Sequence, residues 1–143
     1  MKIAIASDHG GFNLKQYIIN YLKENNTDFK DFGCFDTNSC NYPDYAKVVA
    51  KSVISKEFDK GILICGTGVG MAITANRFKG IRAVNTSDTY SAKMSRLHNN
   101  SNILTLGERV VGRDLALDIV KIWLNTEFEG GRHQKRIEMI DID

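Results

Sequence analysis

Cys65 stands between an apolar run, Gly61-Ile62-Leu63-Ile64, and a glycine-rich stretch, Gly66-Thr67-Gly68-Val69-Gly70. An apolar run, closely spaced glycines and then a helix-period segment spell strand, tight turn and helix. The first N–H groups of such a helix lack intrahelical partners and point outward, which makes the turn a nest for an anion. The positive helix end also favours the thiolate form of Cys65, the form that accepts a proton. A thiolate beside an oxyanion nest suits proton abstraction next to a carbonyl. Taken alone, the same stretch serves equally well as a sharp turn, with Cys65 a small core residue.

A second run, Lys2 to Ser7, delivers Asp8-His9-Gly10-Gly11. If both runs are strands of one parallel sheet, their following turns meet at its carboxyl edge, where open α/β sheets bind ligands. An acid, an imidazole and a thiol then converge, although Asp8 is also a preferred helix N-cap. His98 ends a helical segment just before the next strand, which places it at the amino edge, away from Cys65 of its own chain. Two roles fit it there: serving the site of a second subunit in a symmetric dimer, or a helix-ending imidazole that suits the dipole. Arg132 and Arg136, four residues apart, share one helical face and offer two guanidinium forks to a phosphate, or else form a solvated basic face. Arg109, in Gly107-Glu108-Arg109, is a third candidate for an anion contact.

The elements that must position these residues alternate along the chain. Strands are expected at Lys2 to Ser7, Phe29 to Phe32, Gly61 to Cys65, Ile81 to Val84 and Ile103 to Leu106. Helices are expected at Phe12 to Glu24, Asp44 to Lys56, Met71 to Phe78 and Ser87 to His98. Their apolar faces carry Leu14 and Ile18, Tyr45 and Val48, and Tyr90, Met94 and Leu97, respectively for the first, second and fourth. A further helix bears Leu115, Ile119, Ile122 and Trp123 and is broken by Gly130-Gly131, after which a charged tail restarts as helix. This order predicts a single α/β domain over residues 1–143, with a mostly parallel sheet. The tail, residues 130–143, carries Ile137, Met139 and Ile140 and is expected to dock on protein, across a dimer.

Composition narrows the function classes. A net charge of +2 is too small to argue for nucleic acid. No apolar run reaches membrane-spanning length and none at the start resembles a secretory signal, so a cytoplasmic protein is expected. Three cysteines, Cys34, Cys40 and Cys65, show neither disulfide nor zinc spacing. Free thiols, and no metal, are expected.

The chain resembles the type B ribose-5-phosphate isomerases, a group that includes galactose-6-phosphate and allose-6-phosphate isomerases. The resemblance runs over essentially the whole chain. It is carried by Ser7-Asp8-His9-Gly10-Gly11-Phe12, Tyr42-Pro43-Asp44-Tyr45-Ala46, Ile64-Cys65-Gly66-Thr67-Gly68-Val69-Gly70, Ala75-Asn76-Arg77, Gly80-Ile81-Arg82-Ala83, His98-Asn99, Gly107-Glu108-Arg109-Val110-Val111-Gly112 and Glu129-Gly130-Gly131-Arg132-His133. It implies a three-layer α/β/α fold with a five-stranded Rossmann-like sheet and a C-terminal helical tail. It also implies a cofactor-free aldose–ketose isomerisation through a cis-enediolate, in a homodimer or tetramer whose subunits share sites.

Position by position, the resemblance makes Cys65 the base between C1 and C2 and His98 the acid that opens the furanose ring. Thr67 and the amides of Gly66, Gly68, Val69 and Gly70 would hold the enediolate. Asp8, His9, Tyr42 and Asn99 would contact sugar oxygens, and Arg109, Arg132 and Arg136 phosphate. Some members use a glutamate just after the glycine turn; Met71 stands there and accepts no proton, so the chain resembles the cysteine subgroup. A hexose-6-phosphate isomerase is the nearest alternative, and a catalytically silent sugar-phosphate sensor the alternative from another class.

Overall fold

The computed structural model describes residues 1–142. Five strands, β1 (Lys2–Ser7), β2 (Asp28–Asp31), β3 (Lys60–Cys65), β4 (Ala83–Asn85) and β5 (Ile103–Gly107), form one sheet in the order β2-β1-β3-β5-β4. Every pairing is parallel. Helices α1 (Phe12–Glu24), α2 (Tyr42–Ile54), α3 (Val69–Ala75), α4 (Thr89–Asn99), α5 (Arg113–Asn125) and α6 (Arg132–Ile137) complete the described residues. None of these helices is long and apolar enough to cross a membrane.

Strand alternation divides the core into two layers. Ile3, Ile5, Ile62, Ile64, Leu104 and Leu106 face α1, α4 and α5, with Trp123 buried among them. Ala4, Ala6, Leu63, Cys65 and Ile103 face α2 and α3. The second layer uses small strand residues because α2 comes close: a Cβ on Gly61 would stand 2.6 Å from Val49 Cγ1. Chain order reverses between β1 and β3, the kind of switch point beyond whose carboxyl ends open α/β sheets bind ligands.

Several boundaries differ from the sequence expectation for local reasons. Helix α3 begins at Val69 because Gly68, at φ 82°, turns the chain in a way a side chain would resist. Pro43 in the first turn lets α2 begin two residues early. Arg82 N–H donates to Asn102 Oδ1 at 2.8 Å, so the β4 ladder starts only at Ala83. Helix α5 ends at Asn125, well before Gly130, and an extended segment leads to α6. The expected face of α4 is wrong: Tyr90 is 72% exposed, and Ala92, Ser95 and Arg96 are buried instead. Val48 and Leu115 are likewise exposed. Polar groups decide α4, since the Arg96 guanidinium donates to Thr126 O, Asn100 Oδ1 and Ser101 O.

Candidate active site

Ser7 pairs with Ile64, so the turns after β1 and β3 leave the sheet side by side. Asp8 Oδ1 accepts the N–H groups of Gly10 and Gly11 at 2.9 and 3.2 Å, which closes a single 3-10 turn. The capping role is therefore present, and Oδ2 takes neither of those bonds. Gly10 lies against the other turn, where an added Cβ would be 3.4 Å from Gly66 N. His9 Nδ1 accepts the Cys40 N–H at 3.2 Å, which leaves Nε2 as the protonated nitrogen of a neutral ring.

Cys65 ends β3 almost buried, 6% exposed, and its Sγ accepts the Gly68 N–H at 3.0 Å. Thr67 Oγ1 accepts the Val69 N–H at 3.2 Å and keeps its own O–H to donate. The amides of Gly68 and Val69 are thus engaged inside the turn. Tyr42 packs its ring on Gly70, where a Cβ would come within 2.4 Å of Tyr42 Cε1. Arg109 follows β5, donates its N–H to Gly66 O at 3.0 Å and lays its guanidinium over Gly66. Asp8, His9, Tyr42, the Cys65–Gly70 turn and Arg109 therefore share one edge of the sheet.

His98, Asn99, Arg132 and Arg136 gather at the opposite edge. His98 and Asn99 end α4 ahead of β5, and the strand from Ile103 to Gly107 separates the two edges by about 13 Å. Arg82 fixes this helix end by donating to the carbonyls of Asn99 and Asn100 at 2.9 and 3.1 Å. The segment after α5 is strapped to the same place by the Arg96 bond to Thr126 and by Glu129 N–H donating to Leu97 O at 3.1 Å. Helix α6 then lies on α4, with Arg132 and Arg136 exposed. Burial weighs most heavily against the charge on Arg82 and Arg96, and each also has a neighbouring charge to answer to.

A cavity of about 500 Å³ opens here between Arg77, Arg82, Asn99 and the tail residues Ile140 to Ile142. It lies far from Cys65. A smaller hollow of about 320 Å³ adjoins Thr67, Val69 and Val110. Val69, Ile73 and Val110 are 47%, 57% and 59% exposed, so the Cys65 edge has an apolar rim.

With this geometry the ancestry of the chain can be read. A model of the ribose/galactose isomerase family matches residues 3–140. The chain belongs to that family. It is accordingly an enzyme of the aldose–ketose isomerase class. Ribose-5-phosphate isomerase B of Escherichia coli strain K12 is 52% identical over 139 residues, covering 97% of this chain and 93% of that one. The Clostridium thermocellum ribose-5-phosphate isomerase B structure superposes with a TM-score of 0.97 at 55% identity, over 98% and 95% of the two chains. The Thermotoga maritima ribose 5-phosphate isomerase structure gives 0.96 at 51%, over 98% and 97%.

Two further side chains stand at the His98 edge that the sequence did not single out. Glu129 and His133 sit in a motif that was visible, yet only folding carries them to His98, with Glu129 Oε2 4.0 Å from His98 Nε2. Glu108 was also missed; its Oε1 accepts the Leu14 N–H at 2.6 Å and anchors the start of α1.

Proposed function

We propose that the protein interconverts D-ribose 5-phosphate and D-ribulose 5-phosphate, with Cys65 as the base. The observation that carries this reading is the placement of Cys65 Sγ at a turn whose Gly68 amide already serves it as a donor. Ring opening precedes proton transfer. His98 protonates the ring oxygen as the C1–O4 bond breaks, while the anomeric hydroxyl gives its proton to solvent, which later restores His98. The Cys65 thiolate then removes the C2 proton, and the electron pair moves through C1 to leave the cis-enediolate. The Thr67 hydroxyl and the free amides of the turn receive its negative oxygen. Cys65 then delivers a proton, exchanged in part with solvent, to C1 while the proton on O2 passes to O1 and C2 becomes the carbonyl, which gives the ketose without any external electron acceptor.

Because His98, Arg132 and Arg136 stand at the edge opposite Cys65, the working site is built by two subunits. A twofold dimer brings the cationic edge of one chain over the thiol edge of the other and builds two equivalent sites. The apolar rim of Val69, Ile73 and Val110 supplies surface for such a contact. Substrate enters as a free sugar phosphate, in the cytoplasm.

Two measurements test this. Ribose, allose and galactose phosphates are compared as substrates in deuterated water, with ribose 5-phosphate expected to give the highest kcat/KM and label at the exchanging carbon. Cys65→Ala is expected to lower kcat by about 1,000-fold or more while leaving the affinity for inorganic phosphate within a few-fold, since the base acts in the transition state. Substantial residual isomerisation and exchange would move the base to another residue.

A further inference from the structure

His133 is a buried imidazole for which the proposed reaction has no task. It is 5% exposed, and its Nε2 has no hydrogen-bond partner among the described residues. Its ring lies flat on that of His98, centroids 4.3 Å apart and planes 14° from parallel. Glu129 faces both rings, Oε1 at 3.8 Å from His133 Nε2 and Oε2 at 4.0 Å from His98 Nε2. The backbone holds the group together: Glu129 N–H donates to Leu97 O, and His133 N–H to Gly130 O, both at 3.1 Å.

The three side chains could offer a metal two imidazoles and a carboxylate, their ligand atoms lying within 4.8 Å of one another. Ring geometry speaks against that use. In nearly parallel rings the lone pairs run side by side, whereas a tetrahedral ion needs them to converge. A face-to-face stack instead fixes a plane. It removes the ring-flip freedom of a half-exposed histidine and leaves it one orientation. Burial most of all, then the neighbouring His98 and Arg132, push the His133 imidazole below its ordinary range, with Arg136 acting the same way and Glu129 opposing. Neutral His133 can then lie against a protonated His98 without like-charge repulsion.

We infer that His133 is a positioning residue for the ring-opening acid: its flat face fixes the His98 ring. Glu129 Oε2 stands 4.0 Å from His98 Nε2, within ion-pair range of a protonated ring, and Nδ1 is left to address the sugar. The inference rests on the proposed assignment of His98.

The test exploits a difference between the two substrates. Ribose 5-phosphate enters as a furanose and needs ring opening. Ribulose 5-phosphate is open-chain, because its 5-oxygen carries the phosphate, and solvent deuterium enters its C1 through Cys65 alone. Two apolar replacements that suit a buried position are compared, His133→Phe with a flat face and His133→Leu without one. His133→Leu is expected to lose about tenfold in kcat on ribose 5-phosphate while exchanging deuterium into ribulose 5-phosphate within about twofold of the parent rate. His133→Phe is expected to keep most of the furanose turnover. Equal turnover by the two variants on ribose 5-phosphate, or loss of furanose turnover and ketose exchange in the same proportion, would overturn the positioning role. Failure of the unaltered protein to label ribulose 5-phosphate would overturn the isomerase assignment instead.

Discussion

At the carboxyl edge of the sheet, main chain holds the reacting group in place: the Gly68 amide reaches Cys65 Sγ, and Gly66, Gly68 and Gly70 let Arg109, Asn85 and Tyr42 approach. At the amino edge, side chains do the holding. Arg82 and Arg96 clasp carbonyls, His133 stacks on His98, and Arg132 and Arg136 are exposed on a short helix. The two constructions fail in different ways. A backbone-built turn has no spare volume, so one added carbon displaces it. A side-chain cluster loses one contact at a time, and its buried cations cost stability whether or not substrate is bound.

The sharpest test of this division is complementation. Cys65→Ala and His98→Ala proteins, each expected to be nearly inactive alone, are mixed under conditions of subunit exchange. If each site draws on both edges of two chains, about half the dimers are mixed, and each holds one complete site. About a quarter of the parent activity should return. Mass spectrometry of labelled subunits verifies the exchange; mixed dimers that stay inactive would confine His98 to its own chain or to no role.

Adding a single methyl group probes the backbone edge. At Gly68, Ala would meet Asn85 Oδ1 at 2.2 Å and Leu106 C at 2.9 Å, at a φ that L side chains rarely adopt. Gly68→Ala is expected to lower kcat by about 100-fold, because a shift near 1 Å misplaces the thiol. Kinetics within threefold of the parent would show that the turn has slack.

The side-chain edge should respond more mildly. Arg132→Ala and Arg136→Ala are each expected to raise KM about tenfold, as for loss of a charge-assisted contact. Lysine at either position should recover only part, since an ammonium lacks the planar fork. Unchanged KM in both alanine variants would reduce α6 to a solvated face.

The smallest effect is on stability. Lys60, beneath the same edge, is pushed down to about 8 by burial and then by the Arg96 charge. Between about pH 8 and 10.5 the unfolded chain holds a proton that the folded chain has released, so this group makes stability rise with pH across that window. Below about pH 8 its cost is constant. Lys60→Met should stabilise the fold at pH 7 by on the order of 1 kcal/mol, with the advantage over the parent shrinking as pH rises to 10.5. Denaturant midpoints at pH 7 and pH 10 measure this, and an advantage that grows with pH would contradict it.

Sequence alone determined what local periodicity and turn chemistry determine. The strands ending at Ser7 and Cys65 are continuous apolar runs, and their glycine turns are contiguous in the chain, so the parallel sheet and most of the thiol edge were legible. Placing His98 at the far edge needed only the rule that a helix returns to the amino end of the next strand. The buried face of α4 was not legible, because Arg96 is drawn inward by carbonyls from the residues around Ser101 and from Thr126. Nor was the joining of His98, Glu129 and His133, residues 31 and 35 positions apart from the first, which depends on a strap between α5 and α6 that has no periodicity to read. Residues that act through one turn announce themselves in order; residues that meet only because two distant segments are tied together become neighbours when the chain has folded.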